Sequence, residues 1–313
     1  LKAGLGIEQA DVTAVLNVLD NHVGIDGIRS REDLARIKAV VAGVAESLLV
    51  LNADDPLVAA MGHNRDPAML AWVSEEPGHA LWHAHRRQGH LSASYSKERG
   101  GCIALYRQDR EILRLNLRDI PASDDGCIGS IAVAAAFSAS LAYGMGLCSE
   151  KIREGLCTYG LEGSHRRGRF EVLKRDPWHL VLAWADGPEA MASVSSYALA
   201  ATAGQSRRRV LLCSAPDNRP DAFLKQMGEA VWGFDLVIFA SWERRRGRSP
   251  AEVPALLAEG AHRLGPGGPE VLVTGPESEA VSVLAQQIRS GDFCVVCSFE
   301  SERMRQRLLA VCG

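Results

Sequence analysis

No run of apolar residues in this chain approaches the roughly 20 needed to cross a bilayer, and no basic segment followed by an apolar one opens it. Neither a spanning helix nor a secretory leader is expected, and a cytoplasmic location follows. Charge of one sign is lacking as well: 35 Lys and Arg stand against 38 Asp and Glu, a net of -3. Nothing in that balance calls for nucleic acid or a membrane surface as a partner. The eight cysteines, at Cys102, Cys127, Cys148, Cys157, Cys213, Cys294, Cys297 and Cys312, do not form the repeated close pairs of a structural zinc site. Cys294 and Cys297 make a CxxC, but inside the apolar run Phe293 to Phe299, which reads as a strand carrying buried, reduced thiols. GxxGKT is absent from all 313 residues, and with it the usual glycine-rich cradle for a triphosphate.

What is present is an ordinary globular composition, 47% apolar and 23% charged, in a chain long enough for two cores. Its organising stretch is Asp11 to Pro56. Val12 to Val18 is a short β-branched and apolar run, ended by the turn-prone Asp20-Asn21, and reads as a buried strand. Ser30 stands three residues before Asp33, a variant of the capping box, and Leu34, Ile37, Val41 and Val44 follow at helical spacing. Ser47 to Leu51 is apolar again, and Asn52-Ala53-Asp54-Asp55-Pro56 stops it with turn chemistry. The three pieces form a βαβ unit, whose parallel strands put ligand-binding loops at their carboxyl edge.

The segments NHVGIDGI, EDLARIK and LVLNADDP, in that order, resemble the central domain of Mur-type ATP-dependent amide ligases, and within that family its cyanophycin synthetase branch. The resemblance implies an α/β fold: a partial Mur-ligase-like central domain with a mostly parallel sheet over 1–162, then a Rossmann-like C-terminal domain over 163–313. It also implies roles. His22 would help hold Mg2+, Lys38 would be the lysine that is carbamylated, and Asn52 would lie on the nucleotide side. The cofactors would be ATP and Mg2+, and the reaction the addition of an amino acid to an Asp/Arg polymer. Partners would be such an acidic polymer together with the rest of a larger synthetase or further copies of the chain. The opening Leu1 and the LKAGLG segment, whose counterpart falls inside the domain in the family, lead us to expect a fragment or a truncated gene product.

Beyond Pro56, Ala59 to Arg87 is expected to hold a loop and a helix. His79 and His83 are four apart there, but no carboxylate accompanies them and a metal site is not expected. Leu91 to Leu117 alternates in short strands with turns at Arg99-Gly100-Gly101 and Gln108-Asp109-Arg110, which predicts a small antiparallel patch. Ile128 to Leu147 is helical in character, and Ser149 is placed to cap a second helix to Tyr159. In the family the first of these helices opens with an asparagine that touches nucleotide; GCIGSIAVAAAF contains none. Gly160 to Arg169 is the expected boundary. Its Arg167-Gly168-Arg169 resembles the PGR junction, which makes Arg169 the arginine that would reach ATP phosphate.

From Phe170, apolar runs at His179 to Trp184, Val210 to Cys213, Leu236 to Ala240, Val271 to Val273 and Phe293 to Cys297 alternate with helical segments, the pattern of a doubly wound parallel sheet. Ser249, Pro250 and Glu252 look like the start of one helix, and Gly291 like the stop of another from Glu277 to Ser290. Aligning LVLAWADGP with the family's DYAHNP-like signature puts Ala183 on its aspartate, Asp186 on its histidine and Gly187 on its asparagine. Alanine cannot accept a hydrogen bond from a ribose hydroxyl. CSAPDNRPD likewise stands where a GDRxDED-type loop would be, with Ala215 or Pro216 for its glycine. Arg244, Arg245, Arg246 and Arg248 form a basic run that would suit an acidic polymer, or else a solvated loop. These losses, together with the missing cradle, predict a chain that does not turn over ATP by itself, the alternative being an active ligase whose phosphate loop lies upstream.

Overall fold

The computed structural model describes residues 4–160 and 169–312, apart from 77, 99, 175 and 245. It divides into two compact units, Leu1–Leu161 and Glu162–Gly313.

The first unit begins with β1 (Ala10–Val15), α1 (Arg31–Gly43) and β2 (Ala45–Asn52), and β1 and β2 pair in parallel as the periodicity predicts. The capping box at the start of α1 is complete. The Asp33 backbone N–H donates to Ser30 Oγ at 3.2 Å, and the Ser30 N–H donates to Asp33 Oδ2 at 3.1 Å. The short α2 (Pro56–Ala59) follows, and then β3 (Leu70–Glu75), a strand where only a loop was expected. LAWVSE has no alternation because it is covered on both faces, as strands inside a parallel sheet are. α3 (Ala80–Arg87) leads to β4 (Ser92–Tyr95), β5 (Cys102–Arg107) and β6 (Arg110–Asn116). The last three do run antiparallel, but they are not a separate patch. β4 pairs in parallel with β3, so one six-stranded sheet runs β1-β2-β3-β4-β5-β6. The turn between β5 and β6 has Gln108 and Asp109 both at positive φ, 52° and 55°, the geometry of a tight hairpin. α4 (Ser130–Gly144) and α5 (Ser149–Thr158) complete the unit. Ser149 is the first residue of α5 and Cys148 occupies the cap without a side-chain bond, which corrects the expected Ser149 cap. α4 covers one face of the sheet and α1 to α3 the other, giving two apolar layers.

The second unit contains β7 (Glu171–Lys174), β8 (His179–Ala183), α6 (Pro188–Ala201), β9 (Arg209–Ala215), α7 (Asp221–Glu229), β10 (Leu236–Ser241), α8 (Glu252–His262), β11 (Glu270–Pro276), α9 (Glu277–Gln287), β12 (Phe293–Cys297) and α10 (Ser301–Cys312). Its sheet runs β11-β10-β9-β12-β8-β7, parallel except for β7. All five predicted strands are there. The helix ends differ: α8 starts two residues past Pro250 with Ala251 at its cap, and α9 ends at Gln287, short of Gly291. Cys294 and Cys297 are buried in β12, as expected for thiols in a central strand. No helix among the described residues is long and apolar enough to cross a membrane.

Candidate functional site

In the first unit the polar residues gather at the carboxyl edge of the parallel strands. The chain leaves β1 through Leu16, Asn17 and Val18, and three side chains from elsewhere hold those carbonyls. Asn52 Nδ2 donates to Leu16 O at 2.9 Å, Lys38 Nζ to Asn17 O at 2.7 Å, and the Arg31 guanidinium to Val18 O at 3.0 and 2.6 Å. Asp55, buried at 8% exposure, finishes the arrangement. Its Oδ2 accepts from Val18 N at 2.7 Å, and its Oδ1 accepts from Leu57 N and Val58 N to cap α2. Asp54 performs the same service for the next strand, accepting from Ser74 Oγ at 2.6 Å and Glu75 N at 2.7 Å.

Lys38 and Asn52 therefore meet on one loop, from α1 and β2. Burial lowers the Lys38 pKa, and the nearby Asp55 carboxylate works against that. A lysine whose charged form is disfavoured has more of the neutral amine that reacts with CO2. His22 lies farther along, exposed, at the end of the one-turn 3-10 helix Asp20–His22. Its neighbour Asn21 has a buried Oδ1 with no hydrogen-bond partner. Among the described residues no three His, Cys, Asp or Glu side chains come together as metal ligands, and a Mg2+ held by fewer protein groups would complete its octahedron with water and phosphate oxygens. His79 and His83 do not share a helix face, because His79 is the cap of α3 and its Nδ1 accepts from Leu81 N.

Arg31 and Asp55 escaped the sequence reading. Asp55-Pro56 carries a cap signal that could have identified Asp55, since Pro in the first turn after Asp marks a helix start. Nothing local identifies Arg31, whose partner is thirteen residues away.

The second unit has its own carboxyl edge. Ala183 ends β8 fully buried, and its carbonyl accepts from Ser298 N at 3.3 Å. Gly187 caps α6, and a Cβ there would lie 2.9 Å from the Phe223 ring, so an asparagine would not fit without movement. Arg169 is exposed with its guanidinium 5.7 Å from the Trp184 ring centroid. Trp184 is 5.1 Å from Phe299, and Phe299 5.7 Å from Trp242, over which Arg246 lies at 5.2 Å. This aromatic row, bounded by two arginines, had no counterpart in the sequence reading because its members come from three strand ends. Arg167 and Gly168 fall outside the described residues, as does Arg245.

The basic run is mostly engaged within the unit. Arg244 pairs with Glu300 at 2.9 Å. Arg248 donates to Asp217 O and Arg219 O at 3.0 and 2.8 Å, and it pairs with Asp221 and Glu252. The loop sequence CSAPDNRPD is thereby pinned to the loop after β10, with Asp217 Oδ2 accepting from Arg246 N at 2.5 Å. Burial lowers the Arg219 pKa, Asp186 offsets this, and Arg246 adds to it. Glu277, 1% exposed, accepts from Ser214 and Ser298 at 2.5 and 2.9 Å; burial raises its pKa, and those two hydroxyls partly offset the rise.

No family model matches the chain. Among solved structures, a pseudomurein peptide ligase type C from Methanothermus fervidus is similar at TM-score 0.68 and 14% identity, over 97% of this chain and 64% of that one. A bifunctional folylpolyglutamate synthase/dihydrofolate synthase from Yersinia pestis, solved with AMPPNP and a Mn ion, is similar at TM-score 0.63 and 17% identity, over 97% and 62%. The two units therefore have the fold of the Mur-type ligases. In sequence the chain is related to the cyanophycin synthetases: that of Synechocystis sp. is 28% identical over 300 residues, 95% of this chain, and that of Trichormus variabilis 30% over 270 residues, 85%. The chain spans about a third of the length of these curated relatives, 33% and 29%.

Proposed function

We propose that this chain is the Mur-ligase-like part of a cyanophycin-synthetase-like amide ligase, and that its 313 residues do not turn over ATP by themselves. The observation that carries the reading is a mismatch. The chain is similar to cyanophycin synthetase over 95% of its length, yet contains no GxxGKT to cradle a triphosphate. In the complete machinery ATP would activate a carboxylate as an acyl phosphate for attack by an amine, and Mg2+ would neutralise the phosphates. Lys38, Asn52 and His22 would belong to the edge facing the nucleotide, with Arg169 on the phosphate side. The product would be an amino acid added to an Asp/Arg polymer, and the rest of the synthetase, or further copies of this chain, would be its partners. Isothermal titration of the purified chain with ATP and Mg2+ tests this: no measurable heat is expected, and binding at micromolar ligand would defeat it.

The half-buried Lys38 favours a second reading, an active ligase whose phosphate loop is supplied by another segment. On that reading Lys38 would take up CO2. The expected observation is a carbamate 13C resonance with labelled bicarbonate, lost in Lys38→Arg.

A further inference from the structure

The hairpin between β5 and β6 carries a conflict of charge. Gln108 and Asp109 fill its turn, so Arg107 and Arg110 close it as direct partners, one cation opposite the other. Like charges placed this way are destabilising, and an acid at either position would have removed the cost. The acid within the turn does not relieve it. Asp109 pairs with Arg86 at 2.9 Å, and Arg86 is itself held with its guanidinium 3.7 Å from the Tyr106 ring centroid.

A third cation enters from the neighbouring turn. Gln108 N donates to Gly89 O at 3.0 Å, which docks the end of α3 on the hairpin, and Arg87 is exposed in the last turn of that helix. The side chains of Arg87, Arg107 and Arg110 make no hydrogen bond or ion pair with any described residue. The Arg107 charge reaches the buried His85, whose pKa is lowered by burial first and then by His90 and Arg107. Three unpaired guanidinium groups at one rim, in a chain of net charge -3, set sequence against fold, and such conflicts concentrate where a ligand resolves them.

We propose that Arg87, Arg107 and Arg110 form a docking site for an acidic polypeptide segment, whose carboxylates pair with the three guanidinium groups. Two observations select a polypeptide over nucleic acid. Single strands bind by stacking bases on open rings, and the rings here are closed: Trp82 is 3% and Tyr106 6% exposed, with Arg86 lying over both. Three cations also fall short of the roughly six to ten phosphate contacts of a duplex binder. The site is separate from the edge that holds Lys38 and Asn52. β5 runs antiparallel to β4, so the turn after β5 stands at the amino edge of the parallel strands. The proposal therefore does not depend on the ligase reading.

The test is fluorescence anisotropy of a fluorescein-labelled poly-aspartate peptide with the 313-residue chain, at low ionic strength and without nucleotide. Saturable binding is expected, weakened at least about tenfold in the variant Arg87→Ser with Arg107→Ser and Arg110→Ser. A control that removes the same charge at other exposed positions, Arg29→Ser with Arg118→Ser and Arg244→Ser, should bind as the parent does. Arg110→Glu should weaken binding yet raise the melting temperature, because it gives Arg107 an opposite charge across the hairpin; a purely structural role for Arg110 would lower it. No saturable binding, equal loss in the two triple variants, or poly-uridylate bound as tightly as poly-aspartate would each overturn the proposal.

Discussion

Asp55 shows how much a single carboxylate can hold. It satisfies Val18 N, caps α2, and lies 3.9 Å from the Arg31 guanidinium. Asp55→Ala would leave those donors without an acceptor in a buried place and should cost about 2 kcal/mol, read as a lowered denaturation midpoint. Asp55→Asn, which keeps one acceptor oxygen, should cost less. His85 contributes a pH dependence to the first unit. It is 5% exposed, its Nε2 lies 3.0 Å from Leu70 O, and its ring stacks at 4.7 Å on His90. Burial is the main cause that pushes its pKa down to about 4. The unfolded chain, with His near 6.5, then takes up the proton first. Stability from the neutral ring is full above pH 6.5 and is lost as the pH falls from there toward 4. The melting temperature should fall through that window, and His85→Gln should flatten the fall.

Elements were legible where their signals were local. Ser30 and Asp33 are three residues apart and cap each other, so the start of α1 could be read directly. Ser149 and Ser249 carry the same residue type, but their helices begin where packing allows, and neither serine caps. β3 escaped because burial on both faces erases the alternation that announces a strand. The edge residues were partly visible: Lys38 and Asn52 through resemblance, Arg31 not at all, since its bond to Val18 exists only after the βαβ unit has closed. Helix contacts were hidden in the same way. Where α7 crosses α8, a Cβ on Gly228 would lie 2.0 Å from Leu257 O, and one on Gly260 2.0 Å from Lys225 O. Both obstacles are backbone and cannot turn aside. Gly260→Ala should therefore destabilise by about 3 kcal/mol although Ala is the better helix former, a sign that helix propensity alone would give wrongly.

At the level of the whole molecule, each unit owns a sheet and an apolar core. Calorimetry should resolve two transitions, with Asp55→Ala lowering one and Gly260→Ala the other. A single transition displaced equally by both would contradict separate cores. The order of strands in the second unit matters for how the protein is made. β12, the last strand of this sheet in chain order, lies in its middle and joins β8 to β9. Until it emerges, the nascent chain carries two apolar half-sheets with nothing between them. The second unit must wait for β12 to be made before it can fold, and chaperones would meet it in that interval.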